Sequence, residues 1–112
     1  MENKLTILWT NADPITAELM VFMYAEASLR NEWWKEVELI VWGATAQLVV
    51  ENQTIQEKLL EIQTKGVKVV FCTACATKLG IVSEVEALGF ELRFMGEPLT
   101  EVLKADGKLL TI

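Results

Sequence analysis

Short apolar runs rich in β-branched residues alternate with helical stretches along the whole chain, and this alternation narrows the possible folds more than any other feature. KLTILW (4–9), EVELIVW (36–42), VKVVF (67–71), ELRFM (91–95) and KLLTI (108–112) read as strands. Strands separated by helical segments predict a mainly parallel sheet with helices on both faces. VKVVF is short and nearly all apolar, as a strand covered on both sides should be.

The intervening segments carry helix signals. Asp13-Pro14 supplies an N-cap followed by a proline in the first turn, and a helix is predicted over 14–30. Gly43 precedes a short helix over 45–51. Thr54-Ile55-Gln56-Glu57 has the capping-box pattern and opens a helix to about 64, with Ile55, Leu59 and Ile62 on one face. Lys65 and Gly66 suit its end. CTACATKLG reads as a helix ending at Gly80. Ser83-Glu84-Val85-Glu86 repeats the capping-box pattern for a helix to Leu88, and Glu97-Pro98 starts another to Ala105 before an Asp106-Gly107 turn. The first helix carries one apolar stripe of Ile15, Leu19, Phe22, Ala25 and Leu29, and a second of Met20, Met23 and Ala27. A helix apolar around most of its circumference is buried on more than one side, as a wide core face or as a subunit interface.

At 112 residues, the sequence is read as one domain over 1–112, long enough to bury a core without disulfides or a structural metal. The net charge of −6 and the lack of a basic stripe argue against nucleic acid and against an anionic membrane surface as partners. The amino-terminal segment lacks the basic region, apolar core and cleavage site of a signal peptide. The apolar run from Ile15 to Leu29 is interrupted by Glu18 and Glu26 and falls short of the ~20 residues a membrane span needs. A soluble, cytoplasmic protein is expected, with its two cysteines as free thiols. No histidine is present, so Ser-His-Asp and Cys-His nucleophile pairs are excluded within one chain, as is zinc held by imidazole. Two cysteines supply half of a metal site, and neither metal nor cofactor is implied.

Ligands of open α/β sheets bind beyond the carboxyl ends of the strands. The residues falling there are Thr10, Asn11 and Asp13; Gly43, Ala44 and Thr45; Cys72, Thr73 and Cys75; and Gly96 and Glu97. Among them only cysteine is a strong nucleophile near neutral pH. Cys72 stands at a strand-to-helix step, where unpaired backbone N–H groups favour a thiolate. Cys75 follows by about one helical turn and Lys78 by another. A second reading of Cys72 stands beside this one: a small buried hydrophobe, since free cysteine is often buried. The acidic pairs Glu36/Glu38 and Glu84/Glu86 read as solvated side chains, and Asp13 and Glu97 as helix caps. Gly43-Ala44-Thr45 is too short of glycine for a phosphate loop.

The segments IVWGATAQLVVEN, GVKVVFCTACATKLGI, LGFELRFMGEPLTEVLK and the closing GKLLTI together resemble the DsrE-like family of sulfur-relay proteins (DsrE/DsrF and YchN-like). The resemblance implies a three-layer α/β/α domain around a mainly parallel five-stranded sheet, often a homo-trimer or homo-hexamer. It implies a sulfur carrier or sulfurtransferase that holds sulfur as a persulfide on Cys72 and passes it between sulfur donor and acceptor proteins or small thiols. Cys75 departs from the best-studied sulfur-relay members, although Cys-x-x-Cys resembles a recurrent variant, and it can release the sulfur by closing a disulfide with Cys72. Thr10, Asn11, Gly43 and Thr73 are the candidates for lining the substrate pocket. The rival readings are a non-catalytic assembly module and a Cys72–Cys75 thiol–disulfide switch. The apolar first helix leads to the expectation of a homo-oligomer; sedimentation showing only monomer at micromolar concentration removes it.

Overall fold

The protein is described by a computed structural model over residues 3–112. Five strands, β1 (Lys4–Trp9), β2 (Glu36–Val41), β3 (Lys68–Cys72), β4 (Glu91–Arg93) and β5 (Lys108–Thr111), form one sheet in the order β4-β3-β2-β1-β5. Every pairing is parallel. The helices are α1 (Pro14–Thr16), α2 (Met23–Arg30), α3 (Ala44–Glu51), α4 (Gln53–Thr64), α5 (Thr73–Leu79), α6 (Val82–Ala87) and α7 (Gly96–Lys104).

The strand order distributes the helices unequally. From β1 to β4 the chain steps three times in one direction, and right-handed crossovers put the connecting helices on one face. The step from β4 back past β1 to β5 runs the other way and carries α7 to the opposite face. The core shows the result. Leu5, Ile7, Trp9, Val37, Leu39, Val41, Val69 and Phe71 meet buried residues of α2 to α6 and of the segment before α2. On the other face a smaller cluster joins Ile40, Val70, Cys72 and Met95. Its row is set by the register Leu8↔Ile40 and Ile40↔Val70. Toward the amino ends of the strands that thin face turns polar. Glu38 there is not solvated: it is buried and paired with Lys4 at 3.2 Å and Lys68 at 3.6 Å. The sheet amide ladder and the α7 side leave that carboxylate little water, so the two lysines replace it.

The first helix begins as the sequence predicts, with Asp13 accepting from the Thr16 N–H at 3.1 Å and Pro14 in the first turn. It then differs. Ala17–Phe22 is π-helical before the α-helix resumes at Met23. A π turn takes one more residue into each hydrogen-bonded ring and shifts the helical phase. The buried positions are therefore Ala17, Val21, Phe22, Ala25 and Ser28, whereas Ile15 and Leu19 are 66% and 62% exposed. The apolar stripe drawn at regular α spacing is split between core and surface.

Neither predicted capping box forms. Asn52 caps α4, its Oδ1 accepting from the Ile55 N–H at 3.1 Å, so Thr54 lies inside the helix. Glu57 is engaged from the side by Gln53 at 3.1 Å. Likewise α6 starts behind Ile81, and Ser83 is interior. The short connection from α3 decides the first case: the extended backbone at Asn52 ends one helix and starts the next.

Asn52→Ala is expected to lower stability by about 1 kcal/mol, the usual loss for an N-cap. Thr54→Ala should leave the urea midpoint nearly unchanged, and equal effects of the two substitutions would contradict the cap assignment.

Candidate functional site

The site forms where β3 hands over to α5. Successive strand residues point to opposite faces, so Phe71 enters the thick core while Cys72 points to the thin side. Cys72 keeps extended backbone angles and is the N-cap residue of α5. It is 3% exposed, which corrects any picture of an openly solvated thiol. Helical spacing brings Cys75 onto the same side, where it is half-buried and packs against the Cys72 cluster.

Gly43 completes this arrangement through its backbone. The chain leaves β2 with φ +72 at this residue, a region that glycine alone enters freely. The turn presents the Gly43 N–H to the Cys75 sulfur. Thr45, fully buried, fixes the same turn. Its hydroxyl donates to the Trp9 carbonyl at 2.9 Å and accepts from the Trp42 N–H at 3.2 Å, tying the ends of β1 and β2 together.

The three largest influences on the Cys75 thiol oppose one another. Burial pushes its pKa up, and the hydrogen bond to Cys72 pushes it further in the same direction, while the Gly43 N–H draws it back down. The net shift is upward, so Cys75 is held as the thiol.

Both sulfurs line a cavity of about 470 Å³. The buried Cys72 and Met95 lie at its base, with Trp42, Ala74 and Cys75 beside them. The exposed Phe94, Lys78, Gly96 and Glu97 form its rim. The surroundings of the sulfurs are thus apolar, with one cation and one anion at the entrance. Phe94, at 73% exposure, is an aromatic ring offered to whatever enters.

The structure brings Cys72, Cys75 and Gly43 together, with Lys78, Gly96 and Glu97 at the rim, and leaves Thr10, Asn11 and Thr73 apart. Thr10 and Asn11 are exposed, and both backbone N–H groups donate to the Ile112 carbonyl, at 2.6 Å and 3.1 Å. They fasten the chain end beyond β5 and do not line the cavity. Thr73 opens α5 beside the site, its carbonyl accepting from Thr77 at 2.8 Å, and is likewise absent from the lining. Residue-type reasoning missed Trp42, Phe94 and Met95. Their signal was positional: two aromatics and a methionine at the ends of β2 and β4, neighbours of β3 in a parallel sheet.

An all-parallel α/β sheet with a pair of cysteines over the carboxyl end of its third strand defines a thiol-bearing α/β domain. The chain belongs to the DsrE/DsrF-like family, whose model matches residues 3–110. No curated protein sequence matches it. Among solved structures it is similar to a conserved protein of unknown function, BT1422, from Bacteroides thetaiotaomicron, at 40% identity with TM-score 0.95 over 99% of this chain and 96% of that one. It also shares its fold with the YchN protein of E. coli, at 22% identity with TM-score 0.73 over 98% of this chain and 99% of that one. Family membership suggests a sulfur-relay role.

Cys72→Ser removes the ionisable neighbour that raises Cys75, leaving a hydroxyl that carries no charge. The pH midpoint for alkylation of Cys75 is expected to fall in this variant relative to wild type. An unchanged or higher midpoint would show that the two sulfurs do not interact.

Proposed function

We propose that this chain is a cytoplasmic sulfur carrier of the sulfurtransferase type, with Cys72 as the residue that bears the sulfur. The observation carrying this reading is the Cys72 thiol facing an apolar cavity on the thin side of the sheet, with Cys75 packed beside it. Sulfur transfer asks little else of a protein. The Cys72 thiolate attacks the outer sulfur of a donor persulfide, forming a new S–S bond while the donor leaves as its own thiolate. An acceptor thiolate then attacks that outer sulfur and restores Cys72. Donor and acceptor are proteins or small thiols able to bring one sulfur atom into the cavity. The apolar surroundings exclude water from the reactive anion, and Lys78 at the rim favours approach of an anionic donor.

None of the described helices is long and apolar enough to cross a membrane, in keeping with this reading. The exposed Ile15, Leu19, Met23 and Trp33 support a homo-trimer or homo-hexamer, the arrangement in which their apolar surface is covered. The same residues favour the second reading, in which the chain is an assembly module and the cysteines are structural.

Treatment of the reduced protein with thiosulfate or sulfide-derived persulfide donors should add one sulfur atom to the intact mass, mapped to Cys72. Cys72→Ser should abolish the addition. Wild-type protein that gains no sulfur, together with a Cys72 that alkylates no faster than glutathione at neutral pH, would favour the assembly module instead.

A further inference from the structure

We infer that Cys75 discharges the sulfur held on Cys72 as hydrosulfide, so that the chain reduces persulfide sulfur as well as carrying it. This rests on the reading of Cys72 as the sulfur-bearing residue.

The placement of the two sulfurs leads to it. Cys72 caps α5 and Cys75 lies in its first turn, and both pack in one apolar cluster and line one cavity. A thiol in that position meets the inner sulfur of a Cys72 persulfide, the atom bonded to Cβ. The cavity lined by both residues gives the outer sulfur space beside the attacked atom. Displacement at sulfur needs the attacking, attacked and departing atoms close to a line. A bulky acceptor has a harder approach, because Cys72 is 3% exposed and lies with the buried Met95 on the inner side of the cavity. The partner already inside is Cys75.

The step balances without an external oxidant. A bond forms between the Cys75 and Cys72 sulfurs, and the bond from Cys72 to the outer sulfur breaks. The electron pair of the broken bond leaves with the outer sulfur, which takes the Cys75 proton. Cys72–S–S⁻ and HS–Cys75 thus become Cys72–S–S–Cys75 and HS⁻. The outer sulfur is reduced by two electrons, and the cysteine pair is oxidised by two. The attacking species is the Cys75 thiolate, formed as its proton passes to the outer sulfur, so that hydrosulfide and not a sulfide dianion departs. The resulting disulfide must be reopened by a thiol or dithiol through ordinary exchange. The reaction class that follows this one is therefore thiol-dependent disulfide reduction. Attack by an outside thiolate on the outer sulfur would leave both cysteines reduced, so the products distinguish discharge from relay.

The full chain, reduced and kept free of oxygen, is treated with inorganic polysulfide and desalted, with no thiol added afterwards. Wild type should release about one hydrosulfide per chain and end two hydrogens lighter than the reduced protein, while the untreated control stays reduced. Cys75→Ser and Cys75→Ala should keep the added sulfur on Cys72 and lose hydrosulfide release until a thiol is supplied. Wild type that holds its sulfur as stably as the variants, with Cys75 still open to alkylation, overturns the discharge step and leaves the carrier reading standing. Absence of added sulfur from Cys72 in both variants, with no disulfide in treated wild type, overturns the carrier reading and this inference with it.

Discussion

The pleat at the end of β3 sends Phe71 and Cys72 to opposite faces of the sheet, and the site follows from that parting. Phe71 joins the thick core and stacks at 5.0 Å on Phe90. Cys72 falls on the face that the strand order leaves with a single helix, α7. A shift of one residue in β3 would exchange the two side chains, burying the sulfur beneath α5 and α6 and leaving a phenyl ring in the cavity.

The thin face is arranged differently along its length. Near the amino ends of the strands it holds the buried Glu38 carboxylate between Lys4 and Lys68, whose ammonium ends reach toward solvent. Near the carboxyl ends it is apolar, with Ile40, Val70 and Met95 around the sulfur. Removing the two lysines would leave the buried Glu38 carboxylate without a partner, whereas the apolar end has room for a guest. The helix that covers this face thus rests on fixed charges at one end and borders a cavity at the other.

Cys75 draws its character from three directions. Its own helix sets it one turn from Cys72, the β2–α3 turn brings the Gly43 amide, and the β4–α7 connection supplies Met95 and Phe94. Segments distant in sequence converge because neighbouring parallel strands end on one edge of the sheet. Gly43 contributes through a backbone angle and Thr45 through two hydrogen bonds that hold the turn. Neither acts through the chemistry usually sought in a site residue.

The sequence by itself determined the alternation of strands and helices, the parallel sheet, the place of Cys72 at a strand-to-helix step and the spacing that pairs it with Cys75. These are local matters of side-chain period, proline and cap chemistry, and they act over a few residues. Only the tertiary structure decided the rest. The phase of the first helix turned on a π segment that no hydrophobic period announces, and the caps of α4 and α6 turned on where the preceding segment let the chain begin. The thinness of one face, the burial of Cys72 and the gathering of Trp42, Phe94 and Met95 depended on strand order. Order is fixed by how all the crossovers pack together, a sum over the chain that no single stretch of residues carries.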